Sequence, residues 1–264
     1  MHAYRLLAEY PSPDPKLRVK AVTDLTDPDP HIQRASAEFL SRHPGMDSYQ
    51  RLVEIHEEIP DYDTHLAYTV KMALFHHLQM PEILKLAVNK PWPKDQENLL
   101  ALVLSDIPSP QAAGFILAHV KRYESDMERN VGFAEAMARS LPAAKRPELL
   151  DWAKGVAKDN RKDAQALAAA LDQGFTQGGN QSPTGFETWY KDLAVEILKT
   201  SANGNQTEKS LKDPLLFATQ TAGRFKMADQ IPSLTALLTN ASNDEDVRAE
   251  AAKALMTIAP VNQS

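Results

Sequence analysis

The chain has 264 residues, 43% of them hydrophobic and 24% charged, with 18 prolines, 10 glycines and no cysteine. This is an ordinary composition for a folded protein, and it excludes disulfides, thiolate metal sites, cysteine nucleophiles and haem attached through a cysteine pair. The formal net charge is −6, and Lys and Arg are scattered among Asp and Glu, so the basic stripe that neutralises phosphates in a nucleic-acid groove is missing.

The chain opens on "AYRLLAEY", which reads as a helix and lacks the apolar core of a signal peptide. That abrupt start and the polar end "VNQS" lead to the expectation of a piece excised from a longer chain. One-sided apolar faces at both ends add the expectation that the isolated chain self-associates weakly. Prolines at 11, 13, 15, 28, 30, 60, 81, 91, 93, 108 and 110 fall between apolar runs. Proline suits the first turn of a helix and breaks its interior, so these positions predict many short helices. Val and Ile do not alternate with polar residues over any long run, which gives no strand. No apolar stretch is long enough to span a membrane as a helix.

The first clear unit is "LRVKAVTDLTDPDPHIQRASAEFL", a helix, a polar turn and a second helix with Ile32, Ser36, Ala37 and Leu40 on one face. The pattern returns in "PDYDTHLAYTVKMALFHHL" with Leu66, Val70, Ala73 and Leu74 in the same places. Fainter copies begin at Leu99, Val131 and Ala164, each after an amphipathic partner helix. The next begins at Leu215, 51 residues after Ala164, an excess of about 18 over the interval elsewhere. The excess maps to the loop-like stretches "TQGGNQSPTG" and "SANGNQTEKS", so residues 174–210 form an enlarged repeat around the aromatic helix "FETWYKDLAVEILKT". The last unit, "IPSLTALLTNASNDEDVRAEAAKALMTIAP", places Asp244 at a helix N-cap and Val247, Ala251, Ala254, Leu255 and Ile258 in one apolar stripe.

Asp27, Asp61, Asp126 and Asp159 are separated by 34, 65 and 33 residues, with Lys94 in the missing slot. A period of about 33 residues built from helices predicts an all-α superhelix of about seven stacked pairs, one domain over residues 1–264. In such a stack successive acidic residues lie a layer apart at turns, so N-capping and turn hydrogen bonds account for them better than a catalytic carboxylate row.

Asp27–Leu40 and Asp244–Leu255 resemble HEAT repeats of the PBS-lyase-like form, "D-P-D-x-x-V-R-x-x-A-A-x-A-L". The resemblance implies a ladder of turn Asp and second-helix Arg between neighbours. Here that ladder is incomplete, because Gln33 stands for the Arg in one copy and Ser242 for the Asp in the other. "DTHLAYTVKMALFHHL", "DPLLFATQTAGRFK" and the final "DVRAEAAKAL" also resemble the helical segment of exported bacterial multidomain proteins of the planctomycete type, described as membrane-bound dehydrogenases or haem-binding proteins. That second resemblance implies a periplasmic or exported setting, with β-propeller and cytochrome c domains as neighbours.

Candidate chemistry is sparse. His76 and His77 are adjacent and point about 100° apart on a helix, so they do not share a metal easily. His56-Glu57-Glu58 has no second His at the zincin spacing. No catalytic residue, cofactor site or metal site is expected. The repeat resemblance places the second helices on a concave surface, which nominates Arg34, Tyr68, Lys71 and Arg248 as lining residues. Trp189 and Tyr190, with Phe175 and Phe186 nearby, form either an aromatic platform or the cover of a core. Trp92, between Pro91 and Pro93, reads as a packed turn anchor. The expected function is a non-catalytic interaction module that holds a protein partner or a neighbouring domain, with no nucleic acid and no membrane span. The alternatives are a HEAT-like DNA glycosylase, which the net charge opposes, and a bilin lyase-like chaperone, which no residue favours.

Overall fold

The computed structural model describes residues 4, 9, 14–158, 160–202 and 212–259. Asp159, residues 203–210 of the second loop-like stretch, and most of both chain ends lie outside them. Among the described residues there are fourteen α-helices, two short 3-10 turns and no strand. They fall into two compact units, Met1–Pro142 and Ala143–Ser264.

The first unit holds α1 (Pro15–Asp24), α2 (Pro30–Arg42), α3 (Tyr49–His56), α4 (Thr64–Leu78), α5 (Pro81–Asn89), α6 (Lys94–Leu104), α7 (Pro110–Arg122) and α8 (Met127–Ser140). The second holds α9 (Arg146–Ala157), α10 (Arg161–Gln177), α11 (Phe186–Ala202), α12 (Lys212–Arg224), α13 (Ile231–Thr239) and α14 (Glu245–Ile258). Proline occupies the first turn of α1, α2, α5, α7, α9 and α13, where its missing N–H costs nothing. Side chains of Asp14, Asp29, Asp63, Ser109, Asp126, Asn160 and Asp244 accept first-turn N–H groups and so cap their helices.

At its described positions the recurring acidic column therefore marks turns, and among these only Asp126 coincides with a cap. Asp27 accepts the Asp29 N–H at 2.9 Å inside the turn. The caps of α2 and α4 sit two residues later, at Asp29 and Asp63. Lys94 simply opens α6.

All seven apolar or small starts read from the sequence fall inside the second helix of a pair. Leu66, Leu99, Ala164, Leu215 and Val247 are buried, and Ile32 and Val131 are half-buried. Helix contacts run between elements one to three places apart in chain order. In the first unit α2 packs on α4, α4 on α6 and α5 on α7; in the second α10 packs on α12, α12 on α14 and α11 on α13.

Charged contacts follow the same steps. Arg34 of α2 lies 3.7 Å from Asp63, the cap of α4. Lys212 of α12 reaches Asp244, the cap of α14, at 3.1 Å, and Asp246 at 2.5 Å. Arg139 of α8 donates to the Ser105 carbonyl after α6 at 2.7 Å. Links between pairs are thus present, but they use the capping residues rather than the Asp27 column.

In the enlarged repeat, the loop after α10 turns on Gly179 and Gly185 at φ 61° and 87°. Arg146 of α9 holds that loop by donating to the Gln181 carbonyl at 2.9 Å and to Asn180 Oδ1 at 2.6 Å.

In the second unit α12 comes close to α14 at Gly223. A Cβ built there would lie 3.0 Å from Ala254 Cα, a backbone atom of α14 that cannot swing aside. Gly223→Val should cost about 1–3 kcal/mol by overpacking. Urea unfolding followed by circular dichroism checks this, and an unchanged midpoint would mean that α12 and α14 stand further apart.

Candidate functional site

A surface groove of about 500 Å³ runs between α2 and α4. Arg34, Glu38, Ser41 and Arg42 line one wall, and His65, Tyr68, Thr69, Met72 and His76 line the other. Both sets follow the i, i+3/4, i+7 spacing of a single helix face. The opposite faces are buried: Ala35, Ala37, Phe39 and Leu40 on α2, and Leu66, Val70, Ala73 and Leu74 on α4. The groove is therefore what remains after two amphipathic second helices have packed side by side.

Tyr68 is 64% exposed and stands as an aromatic face at the groove edge. His76 Nδ1 lies 2.7 Å from Ser41 Oγ, bridging the two walls. A serine and a histidine at this distance satisfy the first geometric condition of nucleophilic catalysis. Both sit inside helices, however, where backbone N–H groups are spent on the helix itself and do not form an oxyanion hole. Among the described residues no group of three or more His, Asp or Glu side chains converges to hold a metal.

Arg34 and Tyr68 thus line the same groove. Lys71 is not among the lining residues; it turns toward α3, where its charge acts on His56. Burial first, and then the Lys71 ammonium, hold the His56 imidazole below its ordinary range. Arg248 is half-buried on α14 and belongs to the second unit. Tyr190 is 7% exposed, and its ring packs 4.8 Å from Phe217 and 5.5 Å from Phe186. Burial, then the nearby Asp172 carboxylate, push its phenol up to about 12. Trp189 is half-buried against Phe186 with Lys154 5.8 Å over its ring. These aromatics cover the core between α10, α11 and α12 rather than forming an open platform. Trp92 is the packed anchor expected, its Nε1–H donating to the Ala87 carbonyl at 2.7 Å.

The sequence offered His76 only as a metal ligand, which it set aside, and did not single out Ser41 or Arg42. Their spacing with Arg34 and Tyr68 on two successive second helices was the available signal. A second groove of about 530 Å³ lies beside α5 and α7, with Glu97 of α6 at its floor. Glu97 is 4% exposed and is held by Arg122 at 2.7 Å and His119 at 3.2 Å. Burial outweighs the Glu97 contact and keeps the His119 imidazole below its ordinary range.

His77, next to His76, faces the opposite way and is fully buried. Its Nδ1 lies 2.7 Å from the Ala73 carbonyl, so that nitrogen carries the proton, and Nε2 accepts from Ser48 Oγ at 2.7 Å. The pair therefore divides into one surface and one structural histidine.

No protein-family model matches the chain, and no curated protein matches it in sequence. Among the described residues no helix is long and apolar enough to cross a membrane.

Burial lowers His77 from 6.5 to about 4. The unfolded chain then binds a proton that the folded chain refuses, so stability is full above pH 6.5 and falls as pH drops toward 4. Between pH 7.5 and pH 5 this one group should remove about 2 kcal/mol of stability. His56 and His119, shifted the same way, add to the slope. His77→Phe should shrink the difference in urea-unfolding free energy between those two pH values by about that amount. An unchanged difference would show that His77 titrates normally in the folded chain.

Proposed function

We propose that the chain is a HEAT-like helical-repeat interaction module that holds a protein partner, or a neighbouring domain of a longer chain, against the exposed faces of its second helices. The observation that carries this reading is the make-up of the α2–α4 groove. Every side chain lining it comes from the outward face of two adjacent second helices, the surface that a helical repeat offers to a ligand. The near-33-residue recurrence and the step-by-step packing of α2, α4 and α6, and of α10, α12 and α14, support the repeat assignment. An exported redox or carbohydrate-processing parent rests on the sequence resemblance alone.

The Ser41–His76 pair is the one feature that favours a second, hydrolytic reading. Nothing observed favours the DNA glycosylase or bilin lyase alternatives, and the net charge of −6 opposes the first.

A photo-crosslinking amino acid placed at Tyr68 tests the interaction reading in cells that make the protein. It should yield one discrete protein adduct, with none from the same group at Val19, which is also exposed and lies on α1. Equal adducts from both positions, or none from Tyr68, would count against it. Ester hydrolysis abolished by Ser41→Ala would move the assignment to the hydrolytic reading.

A further inference from the structure

The α2–α4 groove carries more hydrogen-bond donors than its walls can satisfy. Arg34 Nη2 is 3.7 Å from Asp63, a long contact, and its Nε is buried with no acceptor. Arg42 is exposed in the last turn of α2 and makes no hydrogen bond or ion pair among the described residues. Favourable contact with the helix dipole is the ordinary account of Arg42, but it leaves the planar donor fork unused. His76 commits Nδ1 to Ser41, and its other ring nitrogen has no described partner. Glu38 is the only carboxylate among the lining residues, and it is already engaged. Guanidinium groups donate and never accept. An occupant must therefore bring acceptors, preferably charged and planar ones.

We propose that this groove binds a short acidic peptide segment of a protein partner, with one carboxylate on Arg34 and a second on Arg42. This rests on the interaction reading above and adds the partner's chemistry. The two arginines are separated by eight positions on one helix, about 12 Å along its axis. Extended chain covers that distance in about four residues. The segment accordingly carries two Asp or Glu residues three or four positions apart. Tyr68, exposed at the edge, packs on the apolar part of the segment between them. Among the lining residues two arginines stand against the single carboxylate of Glu38, a local excess of positive charge in a chain whose net charge is −6.

A random dodecapeptide display library selected on the whole chain tests this. The bound pool should be enriched in Asp and Glu pairs at that spacing. A representative peptide, followed by fluorescence anisotropy, should bind at least tenfold more weakly to Arg42→Glu and should weaken as salt is raised. Arg42 makes no hydrogen bond or ion pair with another side chain among the described residues, so that variant should lose only its favourable placement at the C-terminal end of α2 and melt only slightly lower, and its melting curve checks that it still folds. A pool without acidic enrichment, or an acidic peptide indifferent to Arg42→Glu, overturns the proposal. A neutral or basic peptide whose binding is lost in Tyr68→Ala would overturn the acidic segment while leaving the interaction module intact.

Discussion

Within each unit second helices pack side by side, α2 on α4 and α4 on α6, α10 on α12 and α12 on α14, and the remaining architecture depends on that contact. Ala37 on α2, Ala73 on α4 and Ala101 on α6 have no exposed surface, and neither do Ala168 on α10, Ala218 and Ala222 on α12 or Ala251 on α14. Alanine loses no side-chain entropy and lets backbones approach closely. Gly223 against Ala254 is the extreme case, where even a methyl group must displace backbone. Close approach of this kind closes one face of each helix completely. On α2 and α4 the opposite faces are then left largely polar, with Tyr68 exposed between them.

Charge is arranged around that packing. Aspartates and one asparagine that cap second helices satisfy the free N–H groups of the first turn. Two of these caps, Asp63 and Asp244, also receive a cation from the preceding second helix, Arg34 and Lys212 respectively. Two buried ionisable groups are hydrogen-bonded: His77 to Ser48 and Ala73, and Glu97 to Arg122 and His119. Such groups are held by the interior and are not available to a ligand. Arg42, His65 and Tyr68 lie outside those networks, which is why the α2–α4 face and not a buried ionisable cluster is the candidate site.

Much of the helix pattern was legible in the residues. Ile32, Leu66, Leu99, Val131, Ala164, Leu215 and Val247 each fall within the second helix of a pair, because a 3.6-residue apolar period is a local property of the chain. Asp244 was readable as a cap for the same reason. The acidic column was half legible. At Asp27, Asp61 and Asp126 it located turns, but the capping side chain sits at Asp29 and Asp63 rather than at Asp27 and Asp61, since cap position depends on turn geometry that a fixed spacing cannot express. Tyr190 and Lys71 show the limit for surface residues. Both lie on helices where polar and apolar positions are mixed, and only the placement of neighbouring helices put one under Phe217 and turned the other toward His56.

The residues alone therefore determined an all-helical chain of short, proline-started, capped helices whose apolar stripes recur at about 33 positions, with no cysteine chemistry and no basic stripe. These are consequences of local periodicity and composition. That His77 is sealed against Ser48 while His76 meets Ser41 across a groove, and that Arg42 joins Arg34 and Tyr68 at that groove, were decided by tertiary packing alone. The physical reason is geometric: neighbouring helical positions differ by about 100°, so a residue's environment is set by which helices occupy the space on either side.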